Sequence, residues 1–180
     1  MKSKIKIAIS GKSGCGNTTI SKMTAEALGL RFINFTFRSL ADEHGLDLKR
    51  VLELAATDES WDREVDSRQV ALARQEDESG CVLGSRLAVW MLEEADLKVY
   101  LYASDETRAQ RILKRESGCL EEIAAFTADR DSQDHARYLR LFNIDTDDYH
   151  FVDLIIDTGS LSPLEITNLI IEKARELKLM

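Results

Sequence analysis

The segment with the clearest chemical meaning is a run of small residues near the N-terminus, Gly11-Lys12-Ser13-Gly14-Cys15-Gly16-Asn17-Thr18-Thr19. Small residues between a strand and a helix let successive backbone N–H groups point at one phosphate, and the positive end of the helix dipole adds to the attraction. Gly11, Gly16 and Thr18 match the pattern G-x-x-x-x-G-K-[ST] of phosphate-binding loops. The run therefore predicts a site for the phosphates of a nucleotide such as ATP.

Within this loop, each residue has an expected role. The backbone amides of Ser13 to Thr19 would surround the β-phosphate, and the Thr18 hydroxyl would bind a magnesium ion that accompanies ATP. Cys15 is expected to be a small residue tolerated in the loop, because phosphoryl transfer needs no cysteine nucleophile. The predicted ATP-binding residues are Gly11, Ser13, Gly14, Cys15, Gly16, Asn17, Thr18 and Thr19.

Asn17 departs from the pattern because it stands where a lysine is usual. A charge-assisted hydrogen bond contributes about 1.5–3 kcal/mol, against about 1 kcal/mol for a neutral one. The amide should therefore weaken phosphate binding or catalysis without removing the backbone cradle. Lys12, four residues before Gly16, is our candidate to supply part of the missing charge as a catalytic residue.

Apolar periodicity places a strand directly before the loop and a helix directly after it. Ile5, Ile7 and Ile9 alternate with smaller or polar residues, which indicates a strand. From 18 to 28 the apolar residues recur at helical spacing, with Gly29 as C-cap. Further strands are predicted at 31–34, 81–83, 97–103 and 152–156, with helical patterns between them. Such strands need crossover connections, so we expect an α/β fold with a parallel sheet flanked by helices.

The last helix is indicated by its own capping residues. Ser162 is the expected N-cap, Pro163 the first helical residue and Glu165 the partner in a capping box. One apolar stripe should then pack on the sheet, formed by Ile166, Leu169, Ile170, Ala174 and Leu177.

Composition limits the partners and the compartment. The 180 residues fit one domain, and a formal net charge of −8 disfavours nucleic acid and anionic membranes as partners. Three cysteines without a CxxC pair suit neither a disulfide framework nor a zinc site, and indicate a reducing cytoplasm. The apolar run after the N-terminus is too short for a signal peptide or a membrane span.

Arginines beside apolar anchors recur through the rest of the chain. The runs are Phe37-Arg38, Asp66-Ser67-Arg68-Gln69, Ser85-Arg86-Leu87-Ala88-Val89-Trp90, Arg137-Tyr138 with Ile144-Asp145-Thr146-Asp147-Asp148, and Asp153-Leu154-Ile155-Ile156-Asp157-Thr158. Taken in this order with the loop, they resemble the cytidylate kinases, specifically the short archaeal-type branch. The resemblance runs from Ile5 to about Thr158, and the combination is far more specific than the loop alone.

This resemblance implies a P-loop nucleoside-monophosphate kinase fold: a five-stranded parallel sheet, a monophosphate-binding region at about 34–79 and an arginine-rich lid at about 117–143. Family members transfer the γ-phosphate of ATP to CMP or dCMP. The matching positions imply Arg38 and Arg68 on the acceptor phosphate, Arg86 near both acceptor phosphate and base, and Asp66 at the base. The lid arginines correspond to Arg130 and Arg137, which would neutralise the transferring phosphoryl group, with Asp134 orienting them.

A second departure from the family concerns the segment after the third strand. The usual acid-Gly-Arg is here Gly84-Ser85-Arg86, which removes a carboxylate that normally lies near the magnesium ion. Two alternatives therefore stay open: a P-loop kinase for another small acceptor, or a nucleotide-binding protein with little turnover. Without the resemblance, Arg130, Asp134 and Arg137 would also fit a solvated salt-bridge row. We expect a monomer with ATP, CMP and dCMP as partners, although the sequence leaves the oligomeric state open.

Overall fold

The computed structural model describes residues 5–75, 80–115 and 118–180. The predicted end of the monophosphate-binding region, at 76–79, and the predicted first lid residue, 117, lie outside these ranges. In chain order the elements are β1 (Lys6–Gly11), α1 (Asn17–Leu28), β2 (Arg31–Ile33), α2 (Phe37–His44), α3 (Leu48–Ala55), α4 (Ser60–Arg74), β3 (Cys81–Gly84), α5 (Ala88–Met91), β4 (Leu97–Tyr102), α6 (Asp105–Leu113), α7 (Leu120–Phe142), β5 (Leu154–Asp157) and α8 (Pro163–Glu176).

The strands form one parallel sheet in the order β2-β3-β1-β4-β5. The first strand lies at the centre, where Ile7 pairs with Val82 of β3 on one side and with Leu97 of β4 on the other. Connections that diverge from a central strand open a crevice at its carboxyl end, where ligands bind in such sheets. The glycine loop that follows β1 is therefore placed at this crevice. The predicted α/β fold with a five-stranded parallel sheet is confirmed.

Both faces of the sheet are covered, which explains why its central strand is buried almost throughout. On one face, Ile7, Ile9 and Leu101 pack with residues of α1 and α8. On the other face, Ala8 and Leu83 pack with residues of α4 and α5. Helices on both faces are what crossover connections between parallel strands produce.

The helix ends follow the predicted capping residues. Gly29 has a left-handed conformation at the C-cap of α1, and Ser162 and Glu165 form a capping box before α8. The predicted stripe of α8 was partly wrong, because Leu169 and Leu177 are 39% and 40% exposed. The buried stripe is narrower and consists of Ile166, Thr167, Ile170 and Ala174.

The last strand begins two residues later than predicted. Val152 donates its N–H to the Tyr149 carbonyl in a turn, and the Asp153 carboxylate accepts from the backbone N–H of Lys98. These contacts place a turn where the apolar pattern alone indicated a strand. Over the described ranges, none of the helices combines the length and the apolar character that crossing a bilayer requires.

Two neighbouring residues of α8 provide a test of this packing. Ile170→Ala should lower the free energy of unfolding by about 2–5 kcal/mol, because it opens a cavity in the fully buried core. Leu169→Ala, one residue earlier and partly exposed, should change it by about 0.5 kcal/mol or less. Urea unfolding of both variants measures the difference, and equal effects would contradict the assigned face of α8.

Candidate active site

The glycine loop has the backbone geometry of a phosphate cradle. Gly14 and Gly16 have φ values of 84° and 99°, in the left-handed region that favours glycine. Gly16 is the N-cap of α1, and no side chain caps the first N–H groups of this helix. Cys15 is buried, and burial raises the pKa of its thiol, so the residue stays protonated. These features agree with an anion site formed by the backbone.

Three successive carbonyl groups of the loop accept hydrogen bonds from side chains of α6 and of the residue after β5. The Ser13 carbonyl accepts from Arg108 Nη1 at 3.1 Å, and the Gly14 carbonyl from Arg111 Nη1 at 3.2 Å. The Cys15 carbonyl accepts from the Thr158 hydroxyl at 3.3 Å. Sequence reasoning gave no role to these three residues. The signal for Arg108 and Arg111 was their place among arginines interleaved with acidic residues after position 105, a pattern that points to no particular partner.

The side chain of Asn17 is turned back onto the strand that precedes the loop. Its Nδ2 donates to the Gly11 carbonyl at 2.5 Å, while its Oδ1 is buried without a hydrogen-bond partner. Lys12 lies at the cleft, where its Nζ pairs with Asp147 Oδ1 at 3.3 Å. The amide therefore organises the loop, and the nearest lysine is balanced by a carboxylate.

A cleft of about 880 Å³ opens above the loop. It extends from α1 across the segment after β3 to α4 and α7. Sequence-predicted site residues that line it are Lys12, Ser13, Gly14, Gly16, Asn17, Thr18, Thr19, Asp66, Arg86, Arg130 and Arg137. Gly11 lies below it at the end of β1, and Cys15 lies in the core.

Arg38 and Arg68 are the predicted residues that the structure does not bring to the cleft. Both are exposed, and Arg68 Nη2 pairs with Glu43 at 3.1 Å. Their assignment to the acceptor phosphate stays a prediction. In this structure neither side chain lines the cleft, although residues of both α2 and α4 do.

Helix α7 contributes the charged wall opposite the loop. Arg86 pairs with Asp134 and also donates to the Ser13 hydroxyl at 3.1 Å. Asp134 accepts from Arg137 at 2.8 Å, and Arg137 in turn lies 3.5 Å from Asp62 of α4. This chain of ion pairs joins the loop, α7 and α4 around a single cleft. Arg130 is exposed at its rim.

Comparison with known proteins shows the family of this chain. A model of the cytidylate kinase-like family matches residues 6–160. This chain belongs to that family. It is 46% identical to cytidylate kinase 2 of Borreliella burgdorferi over 170 residues, which cover 92% of this chain and 93% of the relative. It is 42% identical to the cytidylate kinase of Pyrococcus horikoshii over 164 residues, 90% of this chain and 84% of that protein.

The predicted P-loop kinase fold is also confirmed. A shikimate kinase from Bacteroides thetaiotaomicron shares it with a TM-score of 0.65 over 98% of this chain and 99% of that one, at 14% identity. A likeness at this identity shows the fold alone.

One face of α4 presents polar groups to the cleft of this cytidylate kinase-like protein. The pKa of Asp66 is raised to about 7, mainly by burial and also by the nearby Asp62 carboxylate, and this value already includes the lowering effects of Arg137 and Arg86. Gln69, one turn further, has a buried Oε1 without a hydrogen-bond partner. Both side chains line the cleft. The loop end of the cleft thus presents backbone amides, while the α4 end presents hydrogen-bonding side chains.

The missing carboxylate at Gly84 has a steric explanation. A Cβ atom at Gly84 would lie 2.3 Å from Ser21 Oγ and 2.5 Å from Ser21 Cβ, because α1 packs closely against β3. An acidic side chain therefore has no room there while Ser21 is present. The departure from the family pattern is thus linked to helix packing at a second position.

Asp66 gives this site a pH-dependent stability. Its folded-state pKa lies above the ordinary value, so ionisation costs the folded protein stability as pH rises from about 4 to about 7. At pH 8, Asp66→Asn should raise the free energy of unfolding by at least about 1 kcal/mol, since one unit of pKa shift corresponds to about 1.4 kcal/mol. Near pH 4 the gain should vanish.

Urea unfolding at pH 4 and pH 8 measures this difference. The matched control is Glu64→Gln, an exposed carboxylate on the same helix, where we expect a change of about 0.5 kcal/mol or less at either pH. A gain for Asp66→Asn that is independent of pH would show that its carboxyl is not the titrating group.

Proposed function

We propose that this protein transfers the γ-phosphoryl group of ATP to CMP and dCMP, within one kinase domain. The observation that carries the proposal is the position of Arg86. Its guanidinium group contacts the phosphate loop through Ser13 and the arginine-bearing helix α7 through Asp134. A group at this point can contact both a donor phosphate on the loop and an acceptor phosphate in front of it.

Phosphoryl transfer by such a site depends on positioning and charge, not on covalent chemistry. The loop amides and the N-terminus of α1 hold the donor phosphates. Arg130 and Arg137 neutralise the charge that develops on the transferring group, and their planar forks suit its oxygens. Closing α7 over the cleft would exclude water, which would otherwise take the phosphoryl group in place of the acceptor.

Magnesium fits the oxygen donors of the cleft. The Thr18 hydroxyl is exposed at the start of α1, and the Asp129 carboxylate lines the same cleft; oxygen is the donor atom that this ion prefers. Thr18 would hold the ion. Bound there, the ion would neutralise charge on the β- and γ-phosphate oxygens. With Gly84 in place of an acid, the segment Gly84-Ser85-Arg86 offers it no carboxylate.

The acceptor base would lie against α4, where Asp66 reads it together with Arg86. Arg38 and Arg68 would contact the acceptor phosphate by turning their exposed side chains into the cleft. The three free cysteines and the use of ATP support a reducing, cytoplasmic setting. All residues assigned to the site come from one copy of the chain, so the proposed reaction needs no second subunit.

Acceptor choice is the first test of this function. CMP and dCMP should be phosphorylated at least about ten times better, in kcat/KM, than AMP or GMP, because one polar contact to the cytosine edge supplies about 1.4 kcal/mol. A coupled assay of ADP formation across acceptors, shikimate included, measures this preference. Equal rates with AMP would overturn the assignment to cytidylate, and tight ATP binding without ADP formation would favour a binding protein.

Asn17 and Lys12 provide the second test. If Lys12 supplies the charge that Asn17 lacks, Lys12→Ala should lower kcat strongly in the native chain and much less in an Asn17→Lys background. By the same reasoning, Asn17→Lys alone should raise kcat only slightly. CMP-dependent ADP formation is measured for the native chain, for Lys12→Ala, for Asn17→Lys and for the double variant, which completes the double-mutant cycle. Equal effects of Lys12→Ala in both backgrounds would rule out Lys12 as the substitute.

A further inference from the structure

Helix α7 is held in place by ion pairs to several elements. Among the described residues, Arg108 of α6 pairs with Asp131, Arg86 with Asp134, Asp62 of α4 with Arg137, and Glu59 with Arg140. The last pair is exposed on both sides and contributes little. The position of α7 depends on the first three pairs and on apolar packing against α6, where Ile123 lies with Ala109 and Ile112.

Two of these three pairs involve groups that phosphates can reach. Arg86 and Arg137 both line the cleft, where substrate phosphates would compete with Asp134 and Asp62 for them. Arg108 differs because its side chain is only 3% exposed and does not line the cleft. Its ion pair with Asp131 can therefore persist while the other two are exchanged for substrate contacts.

Arg108 also contacts the phosphate loop directly. Its Nη1 donates to the Ser13 carbonyl at 3.1 Å, while its Nη2 lies 2.7 Å from Asp131 Oδ2. One rigid guanidinium group thus joins the loop backbone to the residue next to Arg130. The same Nη2 also lies 2.8 Å from Asp105 Oδ1, whose side chain is 88% exposed. The two carboxylates share one donor atom, but only Asp131 lies on α7.

We propose that Arg108 is a positioning residue that couples the phosphate loop to the arginines of α7. Through Ser13 it orients the loop for donor phosphates, and through Asp131 it keeps Arg130 and Arg137 at the correct distance from them. The inference rests on the proposed phosphoryl transfer for its kinetic effect. The coupling between loop and helix does not depend on which acceptor is used.

The kinetic test compares isosteric substitutions of Asp131 and Asp105, the two carboxylates that share Arg108 Nη2. Asp131→Asn should lower kcat with CMP about tenfold or more, because small displacements of positioning groups have effects of this size. The dissociation constant of ATP measured without acceptor should stay within about twofold, since Arg108 keeps its bond to Ser13. Asp105→Asn is the matched control and should leave both constants within about twofold. Native kcat in Asp131→Asn, or equal losses in both variants, would overturn the proposal.

A double-mutant cycle tests whether Asp131 acts through Arg108. Arg108→Gln should raise the ATP dissociation constant as well as lower kcat, because it also releases Ser13. Adding Asp131→Asn in that background should have little further effect on kcat, while Arg108→Lys should restore little because a point charge cannot hold both partners. Additive losses would show that the two residues act separately.

A readout independent of the acceptor keeps the proposal distinct from the assignment to CMP. Amide hydrogen exchange of α7 should slow when a non-hydrolysable ATP analogue binds to the native chain, and should not slow in Asp131→Asn at equal saturation. If the native chain phosphorylates no nucleoside monophosphate but shows this protection, the proposed function fails while the coupling stands. If the analogue slows amide hydrogen exchange of α7 equally in Asp131→Asn and in the native chain, the proposed coupling is wrong, whichever acceptor the protein uses.

Discussion

The phosphate loop can present its N–H groups to a ligand because its carbonyl groups have partners on the opposite side. A short loop without regular hydrogen bonds would otherwise leave these carbonyls unpaired in the protein interior, at a considerable cost in free energy. Arg108, Arg111 and Thr158 remove that cost. These residues come from α6 and from the end of β5, so the cradle requires the completed sheet. The loop is therefore a product of the whole fold as well as of its own glycines.

The same arrangement accounts for the role of Asn17. In a loop whose carbonyls are bonded on one side, the amide of Asn17 adds a further bond to Gly11, at the junction with β1. A lysine at this position would extend a charge toward the ligand but would not make this local contact. Asparagine in place of lysine therefore provides no positive charge at the ligand but adds a hydrogen bond that orders the loop. The positive charges of the cleft come instead from Lys12, Arg86, Arg111, Arg115 and the arginines of α7.

Much of the fold could be predicted from local pattern. The first strand, the helix that follows the glycine loop and the capping box of α8 each depend on residues within a few positions of one another, and all three were confirmed. The boundary of β5 was missed because Asp153 bonds to Lys98, a residue 55 positions away. Arg108 and Arg111 were missed for the same reason: their partners in the loop lie 95 and 97 positions earlier. In sequence, both resemble ordinary residues of an exposed helix.

The contact between Gly84 and Ser21 limits the order in which mutations can change this site. Their atoms already fill the space between β3 and α1, so an acidic residue at 84 would collide with Ser21 before it could reach a metal ion. Because Ser21 Cβ is itself 2.5 Å from the required position, only glycine at 21 would remove the contact, and by itself it would leave a small cavity beside β3. Gaining the carboxylate one mutation at a time would therefore pass through a single variant at position 21 with a lower free energy of unfolding. The two positions, 63 residues apart in sequence, can be improved only as a pair.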